Sequence, residues 1–367
     1  MTLVDKLWYK VARTIVKAGR FPIPIAGAFI EILKILLMED QAKFLLIFKK
    51  PSLNIDQIKE KTDLEDDALE KMLNDLMNNG IIIGTKSRSR NIRVYRLLQP
   101  FPGIMEYSLM RGQATDREKK LAKLWDKLWD DMRLGLQKNY EYVIEQYKKI
   151  PPIDRVIPIE EEVEVPQEVI VPYEEVSKYI DFYDDIALTN CYCRHEKDLL
   201  NDLCKLNAPK KNCVLFSKSA QFAIKHKFGT PISKKDAKEI FKETEDYGLV
   251  HKVFHVHADP KKDVDVICNC CKCCCGNFQM YYRGALPFST LTSYIAKLNK
   301  DDCLGCGICV EKCPMETIVI FDGIASINQE KCIGCGVCAH HCPEGAIKLE
   351  RTGPRHVFVP TSRIKQN

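Results

Sequence analysis

The stretch "CNCCKCCC", residues 268–275, puts six cysteines into eight positions. Thiols at that density bind metal rather than each other, because adjacent cysteines rarely reach the geometry of a disulfide. Six also exceeds the four thiolates that one zinc ion or one cubane cluster takes. Either more than one centre meets here or some of these thiols are spare. The chain of 367 residues has 18 cysteines, and the first is Cys191. It therefore divides into a cysteine-free half and a thiol-rich half. No signal peptide is read in "MTLVDKLWYKVARTIVKAGR", where Lys6, Lys10, Arg13 and Lys17 interrupt any apolar core. The apolar stretch 21–37 is broken by Pro22, Pro24, Glu31 and Lys34, so it does not span a bilayer. A cytoplasmic protein is expected, where thiols stay reduced and serve as metal ligands. The excess of 55 Lys+Arg over 50 Asp+Glu is too small to imply nucleic acid.

The strongest motif is an internal repeat, "CLGCGICVEKCP" (303–314) and "CIGCGVCAHHCP" (332–343). Each copy is C-x2-C-x2-C-x3-C-P, and residues 298–352 closely resemble a bacterial-type two-cluster ferredoxin domain. In that pattern three cysteines of a tight loop hold one [4Fe–4S] cube. The fourth, followed by proline, leaves the loop for the other cube. The resemblance assigns Cys303, Cys306, Cys309 and Cys342 to one cluster, and Cys332, Cys335, Cys338 and Cys313 to the second. Two C-x2-C pairs alone would leave zinc as the competing reading. "TIVIFDGIASIN" between the copies reads as a hairpin and "GAIKLE" as its closing strand.

Ten thiols remain: Cys191, Cys193, Cys204, Cys213, Cys268, Cys270, Cys271, Cys273, Cys274 and Cys275. They are enough for one unusual cluster, or for two further cubes with two thiols over. Neighbouring cysteines of an extended run point to opposite sides. The run is thus expected to bridge, some thiols joining Cys191, Cys193, Cys204 and Cys213 at one centre while others face a second. Arg194 and His195 adjoin Cys193 and are candidates for hydrogen bonds to cluster sulfur; the alternative is a surface salt bridge. His251, His255 and His257 read as solvated strand residues. A structural zinc site is an alternative for this region. "CCG" at 274–276 is similar to the cysteine-rich domain of heterodisulfide reductases, which holds a non-cubane cluster. The chain departs from that pattern, because no cysteine lies between Cys213 and Cys268.

The elements that position these residues follow from the periodicity. Residues 1–27 carry an amphipathic helix over 3–18, with Leu3, Val4, Leu7, Trp8, Val11 and Ile15 on one face. Docking on the protein's own body is expected ahead of a membrane surface. Residues 28–110 show three helical patterns and then two β-rich runs in "IIIGTKSRSRNIRVYRLL", an order that resembles a winged helix-turn-helix. Lys86, Arg88, Arg90, Arg93 and Arg96 would favour DNA. The presumed recognition segment 63–77 opposes it, with six acids and Lys71 as its one base, a balance of 1 − 6 = −5. A protein-docking domain is therefore expected. Residues 111–150 read as one long amphipathic helix over 116–149. Residues 151–178, with five prolines and an acidic run, read as an extended surface linker. Residues 179–297 form the cysteine-rich iron–sulfur domain, helical around "SKKDAKEIFKETEDYGLV", which Ser233 and Asp236 open as a capping box.

From residue 21 onward the order of parts resembles 4Fe–4S ferredoxin-type proteins of anaerobic bacteria and archaea. These share a winged-helix-like front, a "FPGI" turn, a linker with "RVIP" and "PYEEV", a C-x-C-R segment, a C-x-C-C-x-C-C-C run and a two-cluster tail. The resemblance implies electron transfer in anaerobic metabolism. The expected fold is α+β and multidomain. The expected function is an electron-transfer protein or subunit that passes electrons through two [4Fe–4S] clusters and at least one further iron–sulfur centre to a partner oxidoreductase. A redox-sensing transcription regulator and a thiol/disulfide reductase are the alternatives.

Overall fold

The computed structural model describes residues 3–19, 23–25, 27–86, 92–163, 174–254 and 265–364. Arg88 and Arg90 of the basic tip, His255, His257, and the middle of the Pro/Glu-rich segment lie outside the described residues. Two compact units divide the chain. One is Met1–Gly135 with Tyr192–Asp202 and Phe222–Gly229; the other is Leu136–Cys191, Leu203–Gln221 and Thr230–Asn367.

The first unit is mainly helical. Its opening helix, Leu3–Ala18, buries Trp8, Val11, Ala12 and Ile15, one face at helical spacing. The pattern 28–50 forms two helices, Gly27–Leu36 and Glu39–Leu45. Then come strand Ser52–Asn54, helices Ile55–Lys59 and Asp66–Asn78, and strands Ile82–Lys86 and Arg93–Leu97. The three strands make one antiparallel sheet with Arg93–Leu97 in the middle. Trp125 is fully buried, stacks on Trp129 (6.5 Å) and donates its indole N–H to Ser108 Oγ at 3.1 Å. The expected single helix 116–149 is two, Asp116–Lys138 and, belonging to the second unit, Tyr140–Lys148. Asn139, at φ −125° and ψ 39°, leaves the helical region, while the apolar stripe continues across the break and so conceals it from periodicity.

The second unit is built on an eight-stranded sheet. Its order is Ile347–Val359, Phe288–Leu298, Asp154–Ile157, Val250–Phe254, Val266–Cys270, Lys211–Phe216, Ile186–Asn190 and Gly229–Pro231. This corrects two expectations. The cysteine-rich part is not chiefly helical, and the segment after Pro151–Pro152 is not a surface linker throughout: Asp154–Ile157 is a fully buried strand inside the sheet. Prolines flank it without entering it, so every amide of the strand stays free to join the ladder. "GAIKLE" also differs from expectation. It begins strand Ile347–Val359, which pairs with Phe288–Leu298, whereas the hairpin Ile318–Phe321/Ile324–Ile327 forms a sheet of its own. The ferredoxin-type region thus shares its longest strand pair with the body, across the expected boundary at 297/298.

Side chains alternate between faces of a strand, and the sheet uses this to separate apolar from polar. Val214, Phe216, Val253, Ile267, Ile186 and Ile157 pack one face against Val176, Tyr179 and Ile180 of helix Val176–Phe182 and Ala237 and Phe241 of helix Lys234–Asp246. The latter helix is opened by the expected Ser233–Asp236 box. The opposite face carries the thiols.

Candidate metal centres

The two cysteine repeats fold as near copies. In each, a loop ends in a short helix, Ile308–Lys312 or Val337–His340, opened by a glycine at positive φ, Gly307 (+82°) or Gly336 (+83°). One cavity is lined by Cys303, Cys306, Cys309 and Cys342; a second by Cys313, Cys332, Cys335 and Cys338. Each therefore gathers three thiols of one loop and the Cys-Pro thiol of the other.

The cavities differ in access. Cys306 is exposed and Cys303 and Cys342 are half-buried, whereas all four thiols of the second cavity are buried. Backbone amides point at the sulfurs: Ala325 N–H at Cys303 Sγ (3.5 Å), Thr317 N–H at Cys313 Sγ (3.4 Å), and Ala296 and Gly334 N–H at Cys332 Sγ (both 3.4 Å). Burial pushes the Cys335 and Cys338 thiols up, and the neighbouring thiols add to it.

A third group is tighter. Cys204, Cys271, Cys273 and Cys274 have all four sulfurs within 4.8 Å of one another, with Cys204–Cys271 at 3.9 Å, Cys204–Cys273 at 3.8 Å and Cys273–Cys274 at 3.7 Å. Ala208 and Leu249 pack around it. Hydrogen bonds from Cys271, Cys273 and Cys274 lower the pKa of the Cys204 thiol. Four sulfurs about 2.3 Å from one ion, at tetrahedral angles, sit about 3.8 Å apart. This donor set fits a single tetrahedral ion, zinc or iron, better than a cube, which spreads its thiolates over four irons.

Cys213 lies with a different set. Cys213 reaches Cys268, Cys268 reaches Cys270, and Cys270 reaches Cys275, each pair within side-chain hydrogen-bonding distance. Cys204 and Cys213, candidates for one centre in the sequence, thus fall into separate groups. Cys191 is buried at the end of strand Ile186–Asn190, its amide donating to the Lys210 carbonyl at 2.6 Å. Cys193 is buried in helix Tyr192–Leu199 of the first unit. Arg194 and His195 of the same helix are buried too, which removes the surface salt bridge as a reading; His195 Nε2 donates to the Gln113 carbonyl (2.7 Å). His251 is buried rather than solvated, pairing with Asn269 (2.6 Å) and Glu245 (3.1 Å).

Sequence reading missed Lys252 and Asp154. Both are buried on the thiol-bearing face, with Nζ 3.2 Å from Asp154 Oδ2 and 2.7 Å from Asn277 Oδ1. Their partners come from four separate segments, so no local pattern announces them. It also missed Lys272, within the cysteine run, which pairs with Glu316, three residues beyond Cys313. Tyr282 O–H adds a second link, to the Pro314 carbonyl at 2.6 Å.

Residues 295–343 match the family described as 4Fe-4S dicluster domain. No curated protein and no solved structure is detectably similar to the chain. The chain is α+β, with a C-terminal 4Fe–4S ferredoxin-type domain and a further cysteine cluster fit for a metal. Among the described residues no helix is long and apolar enough to cross a membrane.

Proposed function

We propose that this protein carries electrons between partner proteins, taking them up at a solvent-facing [4Fe–4S] cluster and passing them inward through a buried one. Cys303, Cys306, Cys309 and Cys342 hold the outer cluster; Cys313, Cys332, Cys335 and Cys338 hold the inner one. The observation that carries this reading is the asymmetry of the two thiol sets: one exposes Cys306, and all four thiols of the other are buried and lie near the cysteine run through Glu316–Lys272. Bound clusters supply one-electron chemistry. The chain's own residues orient the thiolates, donate amide hydrogen bonds to their sulfurs and exclude water from the inner site.

The outer rim is apolar. Leu304 is 72% exposed, and Ile308 and Ile320, which line the same cavity, are exposed too. Such a rim suits a redox partner that displaces water from the contact. The N-terminal unit serves as a docking module for an oxidoreductase. The acids at the start of helix Asp66–Asn78 are exposed, and Lys71 is engaged by Asp75 at 2.9 Å, which disfavours phosphate backbones.

The test is anaerobic reconstitution of the full chain, with iron and acid-labile sulfide counting and EPR after reduction. At least about eight irons and eight sulfides, with two interacting reduced clusters, are expected for a cube pair. Stoichiometric zinc without charge-transfer absorbance would overturn the reading.

A further inference from the structure

The sheet face opposite the apolar core holds an unassigned set of four thiols. Antiparallel pairing puts Val214 opposite Ile267 and Leu215 opposite Val266, so the next step of the ladder sets Cys213 opposite Cys268. Cys268 in turn faces Lys252, and Lys252 faces Val156. One rung across four strands thus reads Cys213, Cys268, Lys252, Val156. Cys270, two residues beyond Cys268, shares that face, and Asp154, two residues before Val156, does too. The residues between them take the other face: Ile267 and Val253 enter the apolar core, and Asn269 bonds His251.

The strand ends at Cys270, and there the run divides. Cys271, Cys273 and Cys274 turn away to meet Cys204. A turn closed by Cys275 N–H to the Cys271 carbonyl (3.0 Å) returns Cys275 to Cys270. Asn277, two residues on, accepts a hydrogen bond from Lys252. All four thiols of this set are buried, and Lys252 is fully buried beside Cys275 and Cys270. A buried ammonium is costly in an apolar site. One carboxylate partner, Asp154, only neutralises it. A thiolate-bound cluster nearby gives the cation a second anionic neighbour.

We propose that Cys213, Cys268, Cys270 and Cys275 hold a third iron–sulfur cluster, separate from the single ion of Cys204, Cys271, Cys273 and Cys274. The cluster class follows from the spacing of the sulfurs. Those of Cys213, Cys268, Cys270 and Cys275 meet pairwise in a chain and, unlike the Cys204 group, do not all lie within 4.8 Å of one another, a spread that suits several irons better than one ion. The six cysteines of residues 268–275 are then all used, three at each centre, and none is spare. The site itself stands without the electron-transfer reading; its role as the next station inward from the ferredoxin pair rests on that reading.

The experiment compares three full-length proteins purified and reconstituted without oxygen: wild type, Cys268→Ser/Cys270→Ser, and Cys271→Ser/Cys273→Ser. Iron, zinc and acid-labile sulfide are counted per chain, and the EPR of the ferredoxin pair is recorded. For cubes of four irons, wild type is expected to hold about twelve sulfides. The first variant should lose about four irons and four sulfides and keep the isolated ion; the second should lose about one metal ion and no sulfide. Equal losses in the two variants, loss of zinc in place of iron and sulfide, or about eight sulfides in wild type would each overturn the proposal. The wild-type count decides the matter if a variant does not fold. Loss of the ferredoxin EPR from wild type itself would count against the electron-transfer reading and leave this site standing on its own iron.

Discussion

Gly334 sits at φ +61°, and a Cβ there would lie 2.2 Å from the Tyr294 carbonyl oxygen; the equivalent Gly305 at φ +65° would meet the Gly323 carbonyl at 2.0 Å. Both obstacles are backbone, which cannot rotate away. Gly334 also donates its amide to Cys332 Sγ. Gly334→Ala is therefore expected to displace the inner loop and lower the iron of the ferredoxin pair from about eight to about four per chain. Gly307→Ala has only the positive φ against it, since nothing lies within 4 Å, and should retain both clusters with a loss of about 1 kcal/mol. A second residue-scale expectation concerns His226. Burial, then the charges of Lys225 and Arg111, lower its pKa to about 4, and its Nδ1–H donates to Asn78 Oδ1 at 2.7 Å. The unfolded chain takes up this proton near pH 6.5. Between about pH 6.5 and 4 the unfolded state thus binds more protons, and stability falls as pH falls. Urea midpoints measured from pH 7.5 to 4.5 should drop through that window, and His226→Gln should flatten the drop; an unchanged slope in the variant would refute the assignment.

At the scale of elements, strand Asp154–Ile157 is the informative case. Its sequence, DRVI, begins with two charges and lies among prolines, so it reads as a linker. It is buried because Lys252 and Thr290 meet Asp154 from strands roughly 100 residues and more away in sequence. Pairing of that range leaves no local mark. Elements set by local chemistry were legible: the Ser233–Asp236 cap, the hairpin around Asp322–Gly323, and the two Cys-Gly loops whose spacing is itself the ligand geometry. The division of the cysteine run was legible only as alternation. Which thiols meet Cys204 and which meet Cys213 depends on sheet register. Ile157 is fully buried in the core that the sheet shares with Phe241. Ile157→Ala is expected to cost about 2–5 kcal/mol, whereas Val319→Thr on the exposed hairpin should change stability by less than about 0.5 kcal/mol. Denaturant unfolding of both variants measures the contrast. Similar small costs at both positions would mean that the strand is not a core element.

For the whole molecule, the proposed electron transfer turns on the order of access to the two cysteine-lined cavities. The outer cavity has one exposed thiol and two half-buried ones, with Leu304 and Ile320 at its rim; the thiols of the inner one, Cys313, Cys332, Cys335 and Cys338, are all buried. Amide hydrogen bonds reach both, so access rather than ligand chemistry separates them. Strand Phe288–Leu298 adds to the closure, since Ala296 bonds Cys332 Sγ while the strand runs ten paired positions along Ile347–Val359. A small chelator must reach iron through solvent, and local opening of a buried, hydrogen-bonded site is rarer than exposure of an open one. Iron release to an excess of chelator is therefore expected in two phases. The fast phase should carry about four irons, from the cube held by Cys303, Cys306, Cys309 and Cys342. A slow phase of at least about four irons should follow from the cube held by Cys313, Cys332, Cys335 and Cys338. EPR after the fast phase should show one isolated reduced cluster in place of the interacting pair. Ala296→Pro removes the amide donated to Cys332 and breaks the strand that closes the inner site, so it should speed the slow phase and leave the fast one alone. A single phase in the wild-type protein would mean that the two cubes are equally exposed, and the distinction between an outer entry point and an inner relay would fall.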